Sequence, residues 1–149
     1  MDVDIYSSEQ NMYGLYQATR PDYTPSIEEL IWMTRGHCES CPTVVEFCSG
    51  PGESTHKFAS AIRDIDSVTL IDIDEKFLEI ARDSKIQARS VEFICGDVLE
   101  IIPTIQADVV LATFSYHHIP DVKKMQYIEK AKEWLKPKGV VALAEIYLD

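Results

Sequence analysis

The sequence predicts an α/β fold in which a parallel sheet of five strands is flanked by helices. From residue 43 onward, short apolar runs alternate with stretches whose apolar residues recur at helical spacing. Such alternation is typical of βαβ units, which build parallel sheets covered by helices on both faces. The 149 residues suit one domain, and contents of 46% hydrophobic and 26% charged residues are ordinary for a globular protein.

Five apolar runs are predicted as buried strands. They lie at residues 43–48, 67–71, 91–95, 107–114 and 140–147. A helix is predicted between the first two strands, where Thr55, Phe58, Ala59 and Ile62 fall at helical spacing. A second helix is predicted over residues 75–82, where Phe77, Leu78 and Ala81 have helical spacing.

Two further helices are expected, one before the first strand and one after the fourth strand. Residues 1–42 are predicted as an N-terminal helical and lid segment of the single domain 1–149, with Thr24 or Ser26 capping its helix. After the fourth strand, Asp121 is predicted to cap a helix that ends at residues 136–139. The apolar positions expected in that helix are Met125, Ile128 and Leu135.

The formal charge of −11 argues against nucleic acid as a partner, because proteins that bind phosphates usually carry a basic surface. Basic residues cluster only at positions 123–138, where intervening acids predict a solvated helix face. The acidic N-terminus lacks a signal peptide, and no apolar run approaches about 20 residues, so we expect a cytoplasmic protein without a membrane segment. Cys38 and Cys41 have the spacing of half a zinc site, but no second pair follows, and we expect no metal.

The candidate binding residues follow the predicted strands. Ligands of such sheets bind beyond the carboxyl ends of the strands, near the point where strand order reverses. Gly50 and Gly52 form a glycine turn after the first strand, which allows a ligand to approach the backbone closely. Asp72 ends the second strand, 20 residues after Gly52, where an acid can accept hydrogen bonds from ribose hydroxyls. Asp97 follows the third strand and can accept a hydrogen bond from an adenine amino group.

These motifs together resemble those of the class I S-adenosylmethionine-dependent methyltransferases, in the small-molecule branch that includes UbiE-like enzymes. The resemblance covers nearly the whole chain. Residues 46–52 resemble the acid and glycine loop, residues 71–82 the ribose-acid strand with its helix, and residues 96–98 the adenine-side motif. Residues 108–118 resemble the fourth-strand motif ending in His, and residues 134–139 resemble a late Leu-Lys-Pro turn. Tyr16 and residues 20–23 resemble an Arg-Pro-x-Tyr element found in some members.

The resemblance implies a Rossmann-like fold with S-adenosyl-L-methionine as cofactor. It assigns the methionine portion to the loop that contains Glu46, Cys48, Gly50 and Gly52. It assigns the ribose to Asp72, and the adenine to Asp97 between Ile73 and Val98. It places Thr113 and Phe114 near the sulfonium and the methyl acceptor, and Arg20 near the cofactor carboxylate.

Two departures from the family pattern matter. Cys48 replaces the first glycine of the loop, so the backbone there is more restricted. The family fold normally continues with a helix and two further strands after the fifth strand, whereas the fifth strand, at residues 140–147, is the last one predicted here. We therefore expect a naturally short protein, a fragment or one part of a larger assembly, with self-association or a partner chain at the edge of the fifth strand.

His117 and His118 follow the fourth strand, where an acceptor would bind, and are the candidate catalytic residues. Either can act as a general base, because the pKa of histidine lies near neutrality. The interpretation we favour is structural, with His118 bonded to its loop and His117 a partly buried neighbour. Residues 112–116 lack the Asn/Asp-Pro-Pro-aromatic motif of enzymes that methylate nucleic-acid amino groups, which favours a small-molecule acceptor.

Two other functions stay open. A nicotinamide-dependent oxidoreductase would show G-x-G-x-x-G, whereas Thr55 occupies the last glycine position here, and Asp97 would have no comparable role. A non-catalytic module that binds S-adenosylmethionine, or a subunit of a larger assembly, is the second alternative.

Overall fold

The structure is a computed structural model that describes residues 21–38 and 40–145. The elements, in chain order, are α1 Tyr23–Arg35, β1 Thr43–Phe47, α2 Glu53–Ala61, β2 Ser67–Asp72, α3 Glu75–Asp83, β3 Ser90–Cys95, β4 Ala107–Thr113, α4 Lys124–Glu133 and β5 Leu135–Ala144. Two short 3₁₀ turns, Tyr116–His118 and Asp121–Lys123, lie between β4 and α4.

The five strands that the described residues contain form one parallel sheet in the order β3-β2-β1-β4-β5. This confirms the predicted fold class. Strands β2 and β3 lie on one side of β1, and β4 and β5 lie on the other. The strand order therefore reverses between β1 and β4, and the crevice beyond their carboxyl ends is the expected ligand site.

Two hydrophobic clusters cover the two faces of the sheet. The first contains apolar residues of α1, α2 and α3, including Ile27, Phe58 and Leu78. The second contains Tyr127 and Trp134 from α4 and the residue that follows it, both with no exposed surface. Alternation along β1 and β4 assigns successive residues to opposite clusters, as strand geometry requires. Strands buried on both faces explain the continuous apolar runs in the sequence.

Two of the predicted helix caps are wrong. Helix α1 begins at Tyr23, before Thr24 and Ser26, and no side chain caps it. The Asp121 side chain does not cap α4 but forms an ion pair with Lys124 Nζ (2.6 Å) from within the second 3₁₀ turn. Tight 3₁₀ turns often precede helices, and one here shifts the start of α4 by three residues.

The apolar face predicted for α4 is correct only in part, because Ile128 packs against the second cluster but the other two positions do not belong to the buried face. Met125 is 70% exposed, and Leu135 belongs to β5. The buried positions are Tyr127 and Ala131, followed by Trp134 at the same helical spacing. The predicted set lacks Tyr127 and Ala131, and two of its three members, Met125 and Leu135, lie outside the buried face of α4.

Strand β5 starts earlier than the predicted residue 140. Leu135 already pairs with Ala107, and the register then shifts, so that Val140 pairs with Val109. The predicted turn at residues 136–139 is this irregularity, a bulge within the ladder rather than a break before it. Within residues 21–38 and 40–145, no strand pairs with the outer edge of β5. Association through that edge stays a prediction.

Within the part of the chain that the structure describes, no helix has the length and apolar character to cross a bilayer. No group of three or more His, Cys, Asp or Glu side chains in that part could hold a metal ion.

Candidate cofactor-binding site

A cavity of about 480 Å³ opens at the carboxyl ends of the strands. Loops that follow β1, β2, β3 and β4 line it, together with the start of α1. Eight predicted cofactor-binding residues border this one cavity: Cys48, Gly50, Asp72, Ile73, Asp97, Val98, Thr113 and Phe114. The parallel sheet brings them together because all its strands end at the same edge.

The loop after β1 turns through left-handed backbone conformations. Gly50 has φ +54° and Gly52 has φ +80°, which glycine adopts without steric cost. Cys48 has φ +52° although it is not glycine. The loop thus keeps the turn of the family motif even where Cys48 replaces its first glycine. Burial, followed by the nearby Asp72 carboxylate, raises the pKa of the Cys48 thiol to about 12, so this thiol is not a nucleophile near neutral pH.

Asp72 connects β2 to the glycine loop. Its Oδ2 accepts a hydrogen bond from Gly50 N (2.8 Å), and its Oδ1 accepts one from Asp74 N (2.9 Å). Burial raises the pKa of Asp72, while these backbone donors act in the opposite direction. Each carboxylate oxygen has a second lone pair, so Asp72 can hold the loop and still accept from a ligand.

Asp97 stands at the end of the cavity beyond β3. Its Oδ1 accepts a hydrogen bond from Leu99 N (2.9 Å), which fixes the turn after the strand. Val98 is buried, whereas Ile73 is 73% exposed at the rim of the cavity. Asp97 and these two apolar residues border the same cavity, and the binding of adenine there stays a prediction.

Glu46 and Gly52, both predicted to bind the cofactor, are not among the lining residues. Glu46 is fully buried behind the cavity wall, where it is hydrogen bonded to the Thr55 and Thr113 hydroxyls. A Cβ atom added to Gly52 would lie 3.0 Å from Ala81 Cβ and 3.1 Å from Leu70 Cδ2. Gly52 therefore allows α2 to pack closely against α3, and Glu46 holds the loop from behind.

A chain of hydroxyl groups leads from Glu46 to the cavity. Thr113 Oγ1 donates to Glu46 Oε1 (2.9 Å) and lies 2.8 Å from Ser54 Oγ, which lies 3.0 Å from the Tyr23 hydroxyl. Burial raises the pKa of Glu46 to about 8, so this carboxyl group is protonated at neutral pH. Tyr23, Ser54 and Thr113 line the cavity, and their three elements meet β1, which carries Glu46, at this point.

The two candidate catalytic histidines differ in position. His118 lines the cavity, while His117 does not. His117 Nδ1 lies 2.6 Å from Glu145 Oε1, and the backbone N of His117 donates to Glu145 Oε2 (3.1 Å). The His117 side chain is 43% exposed, so it is more open than the partly buried neighbour we expected. Burial, followed by the neighbouring His117, lowers the pKa of His118.

The sequence analysis missed several lining residues as ligand contacts, and three of them are polar residues whose positions are informative. They are Ser49, Ser54 and Lys123. The two serines belong to the glycine loop and the first turn of α2, so their place in the motif was a usable signal. Lys123 was assigned to a solvated face together with Lys130 and Lys132. Lys132 forms an exposed ion pair with Glu129, as expected, and Lys130, which is 14% exposed, pairs with Glu133. Lys123 is also exposed, but it borders the cavity. Arg20 lies outside the described residues, so its predicted contact stays a prediction.

Known proteins resemble this chain in sequence and in fold. Residues 44–139, more than half of the chain, match the family described as "Methyltransferase domain". The chain belongs to this methyltransferase domain family. Demethylmenaquinone methyltransferase of Staphylococcus aureus (strain MRSA252) is 29% identical over 105 residues, which are 68% of this chain and 42% of that protein. The chain thus spans less than half the length of this relative.

Solved methyltransferase structures share the fold of this domain. DhpI in complex with SAH is 26% identical, with a TM-score of 0.69, over 91% of this chain and 64% of that one. Streptomyces venezuelae DesVI is 18% identical, with a TM-score of 0.74, over 92% and 57% of the two chains. The N-methyltransferase NodS of Bradyrhizobium japonicum WM9 is 16% identical in its complex with S-adenosyl-L-homocysteine. Its TM-score is 0.70, over 83% of this chain and 61% of that one.

Proposed function

We propose that this chain binds S-adenosyl-L-methionine in the cavity and transfers its methyl group to a small-molecule acceptor. The observation that supports this most strongly is the convergence of Gly50, Asp72 and Asp97 on one cavity. These residues follow β1, β2 and β3, which are neighbours in the sheet. Membership of the methyltransferase domain family supports the same conclusion.

The residues present suit this cofactor. A volume of about 480 Å³ lies within the range of about 300–1,000 Å³ found for small-molecule sites. Asp72 and Asp97 are acceptors for the ribose hydroxyls and the adenine amino group, and Ile73 and Val98 provide an apolar slot for the ring. The open backbone at Gly50, where an added Cβ would meet nothing within 4 Å, would receive the methionine portion.

When bound, S-adenosylmethionine supplies an electrophilic methyl group on a positively charged sulfur. The protein has to hold the acceptor in line with that group, and correct positioning can lower the barrier by about 7–11 kcal/mol. His118 is the proposed general base for acceptors that lose a proton, because its lowered pKa keeps the imidazole neutral at pH 7. His117, bound to Glu145, would position His118 by ring contact at 3.9 Å between centroids.

The acceptor is proposed to be a small molecule in the cytoplasm. The net charge of −11 disfavours nucleic acid, and the names of the relatives include enzymes of small-molecule metabolism.

Calorimetric titration with S-adenosylhomocysteine and with NAD tests the cofactor. We expect binding of the first and none of the second; binding of NAD alone would refute the proposal. Asp97→Asn keeps an oxygen for Leu99 N but replaces the second acceptor with a donor. It should weaken S-adenosylhomocysteine binding by at least about 1 kcal/mol, the value of one hydrogen bond to a charged group. The exposed Asp83→Asn, at the end of α3, is the control and should bind normally.

An acceptor panel with S-adenosylmethionine tests turnover. Methyl transfer to at least one small acceptor is the expected result. Cofactor binding without turnover on any acceptor would instead favour the non-catalytic binding module.

A further inference from the structure

The ionisable groups of the cavity are divided along the sheet. Glu53, Asp72 and Asp97 line the part that follows β1, β2 and β3. His118 and Lys123 line the part that follows β4, on the other side of the point where strand order reverses. The acidic half suits a cation such as the proposed cofactor. The basic half lies where the acceptor would bind, and it would favour a negatively charged group rather than a cation.

Lys123 and its neighbour Lys124 have different surroundings. Lys124 Nζ lies 2.6 Å from Asp121 Oδ1 and 5.2 Å from the centre of the Tyr116 ring, so its charge is already matched. Lys123 forms no ion pair with any residue in the described ranges, and its side chain borders the cavity. Its backbone N donates to Pro120 O (2.8 Å), which holds the 3₁₀ turn in place.

The other charges near this half are neutralised or paired. The Glu145 carboxylate is only 4% exposed and accepts from the backbone of His117 besides pairing with its ring. Burial lowers the pKa of His118, so the imidazole is uncharged at neutral pH. Lys123 is therefore the charge that an acceptor would meet on this side.

Apolar side chains form part of the remaining wall of the acceptor half, beside the hydroxyl groups of Thr113 and Ser115. The rings of Tyr23 and Phe114 pack with their centroids 5.1 Å apart, and Ile119 lies on the same cavity. Phe114 has φ +50°, a strained conformation for a bulky residue, and such strain is concentrated at functional sites. An acceptor with an apolar body would cover this wall.

We propose that the acceptor is a small amphiphilic acid, whose carboxylate or phosphate binds Lys123 while its apolar body packs on Tyr23 and Phe114. This inference rests on the proposed methyltransferase function. It adds the chemical class of the acceptor, which neither the fold nor the family determines.

Matched probes with one apolar body can test the charge preference directly. Benzoate, phenyl phosphate and the neutral benzamide are titrated against the protein by NMR, with and without saturating S-adenosylhomocysteine. We expect at least one of the two anions to bind about two- to fivefold more tightly than benzamide, as a partly solvated ion pair provides. The preference should fall at high salt. Comparison of the two anions shows which oxyanion fits.

Three variants assign the effect to a residue. Lys123→Met should abolish the preference, Lys123→Arg should keep it, and Lys124→Met should leave it unchanged because Asp121 already neutralises Lys124. Equal affinities for anions and benzamide, no detectable binding of any probe, or a preference that survives Lys123→Met would overturn this inference. Failure of S-adenosylhomocysteine to bind would instead contradict the proposed function, so the two failures are distinguishable.

Discussion

At the scale of single residues, Glu46 shows how one buried group links stability to the site. Its carboxyl group has no exposed surface and is bonded to two threonine hydroxyls, with Asp72 as the nearby carboxylate that disfavours its ionisation. The pKa of about 8 in the folded state lies above the ordinary value of 4.5. Between these two pH values the folded state binds one proton more than the unfolded state. The free energy of unfolding should therefore fall as pH rises through this window.

We predict that Glu46→Gln removes this pH dependence. Glutamine keeps an oxygen for Thr113 and stays neutral, so the difference in unfolding free energy between wild type and variant should decrease from pH 5 to pH 8. The slope is limited to about 1.4 kcal/mol per pH unit for a single proton. Urea unfolding at several pH values measures it, with the exposed Glu92→Gln on β3 as the control. A difference between wild type and Glu46→Gln that is constant across this range would contradict the assigned ionisation.

Which residues reach the ligand was only partly readable from the sequence. Gly50, Asp72 and Asp97 were found because the ends of parallel strands meet at one edge, a rule that depends on order along the chain alone. Glu46 was placed at the ligand because it belongs to the same motif. Its side chain instead points into the α2 face of the sheet, together with Thr113, and that direction follows from strand alternation that the motif does not contain.

At the scale of elements, the connection from α4 to β5 shows where sequence patterns lose information. Periodicity predicted the existence and order of all five strands in the described residues, because each contains a short, mostly apolar run. It failed around α4, where a 3₁₀ turn precedes the helix and a bulge follows the start of β5. The 3₁₀ turn is held by a local hydrogen bond from Lys123 N to Pro120 O, whereas the register of β5 is decided by hydrogen bonds to a distant strand. Ala107 N, for example, donates to Trp134 O (2.6 Å).

Gly139 provides a test of how tightly this connection is packed. A Cβ atom there would lie 2.8 Å from Ala107 O and 2.8 Å from Leu135 Cδ2. Gly139→Ala should therefore displace the backbone of β5 and lower the free energy of unfolding by about 1–3 kcal/mol, the usual cost of overpacking. Chemical denaturation measures this loss.

The control is Gly36→Ala at the end of α1, where an added Cβ meets nothing within 4 Å and φ is −68°. This substitution should be neutral or stabilise the protein by up to about 1 kcal/mol, because alanine restricts the unfolded chain. Equal effects of the two substitutions would show that the close approach at Gly139 does not constrain the strand.

At the scale of the whole molecule, the charge of −11 acts on both proposed ligands in opposite directions. It attracts a cationic cofactor and repels an anionic acceptor, so local charges have to reverse its effect near Lys123. The division of the cavity into an acidic and a basic half provides this local reversal. Because fields between solvated charges are screened by salt, the balance between the two ligands should depend on ionic strength.

S-adenosylmethionine and S-adenosylhomocysteine form the matched pair that isolates this effect, since they differ by one methyl group and one positive charge. Both should use Asp72 and Asp97, but only the first gains from the negative field. We predict that the Kd of S-adenosylhomocysteine divided by the Kd of S-adenosylmethionine falls as salt is raised. Titration calorimetry at low and at high ionic strength measures both constants.

Glu53→Gln, which removes a lining carboxylate, should weaken this salt dependence, whereas Glu92→Gln on β3 should have a smaller effect because Glu92 does not border the cavity. A ratio that does not change with salt would mean that the cavity distinguishes the two molecules by contact alone, and that the acidic half of the site has no electrostatic role in selecting the charged one.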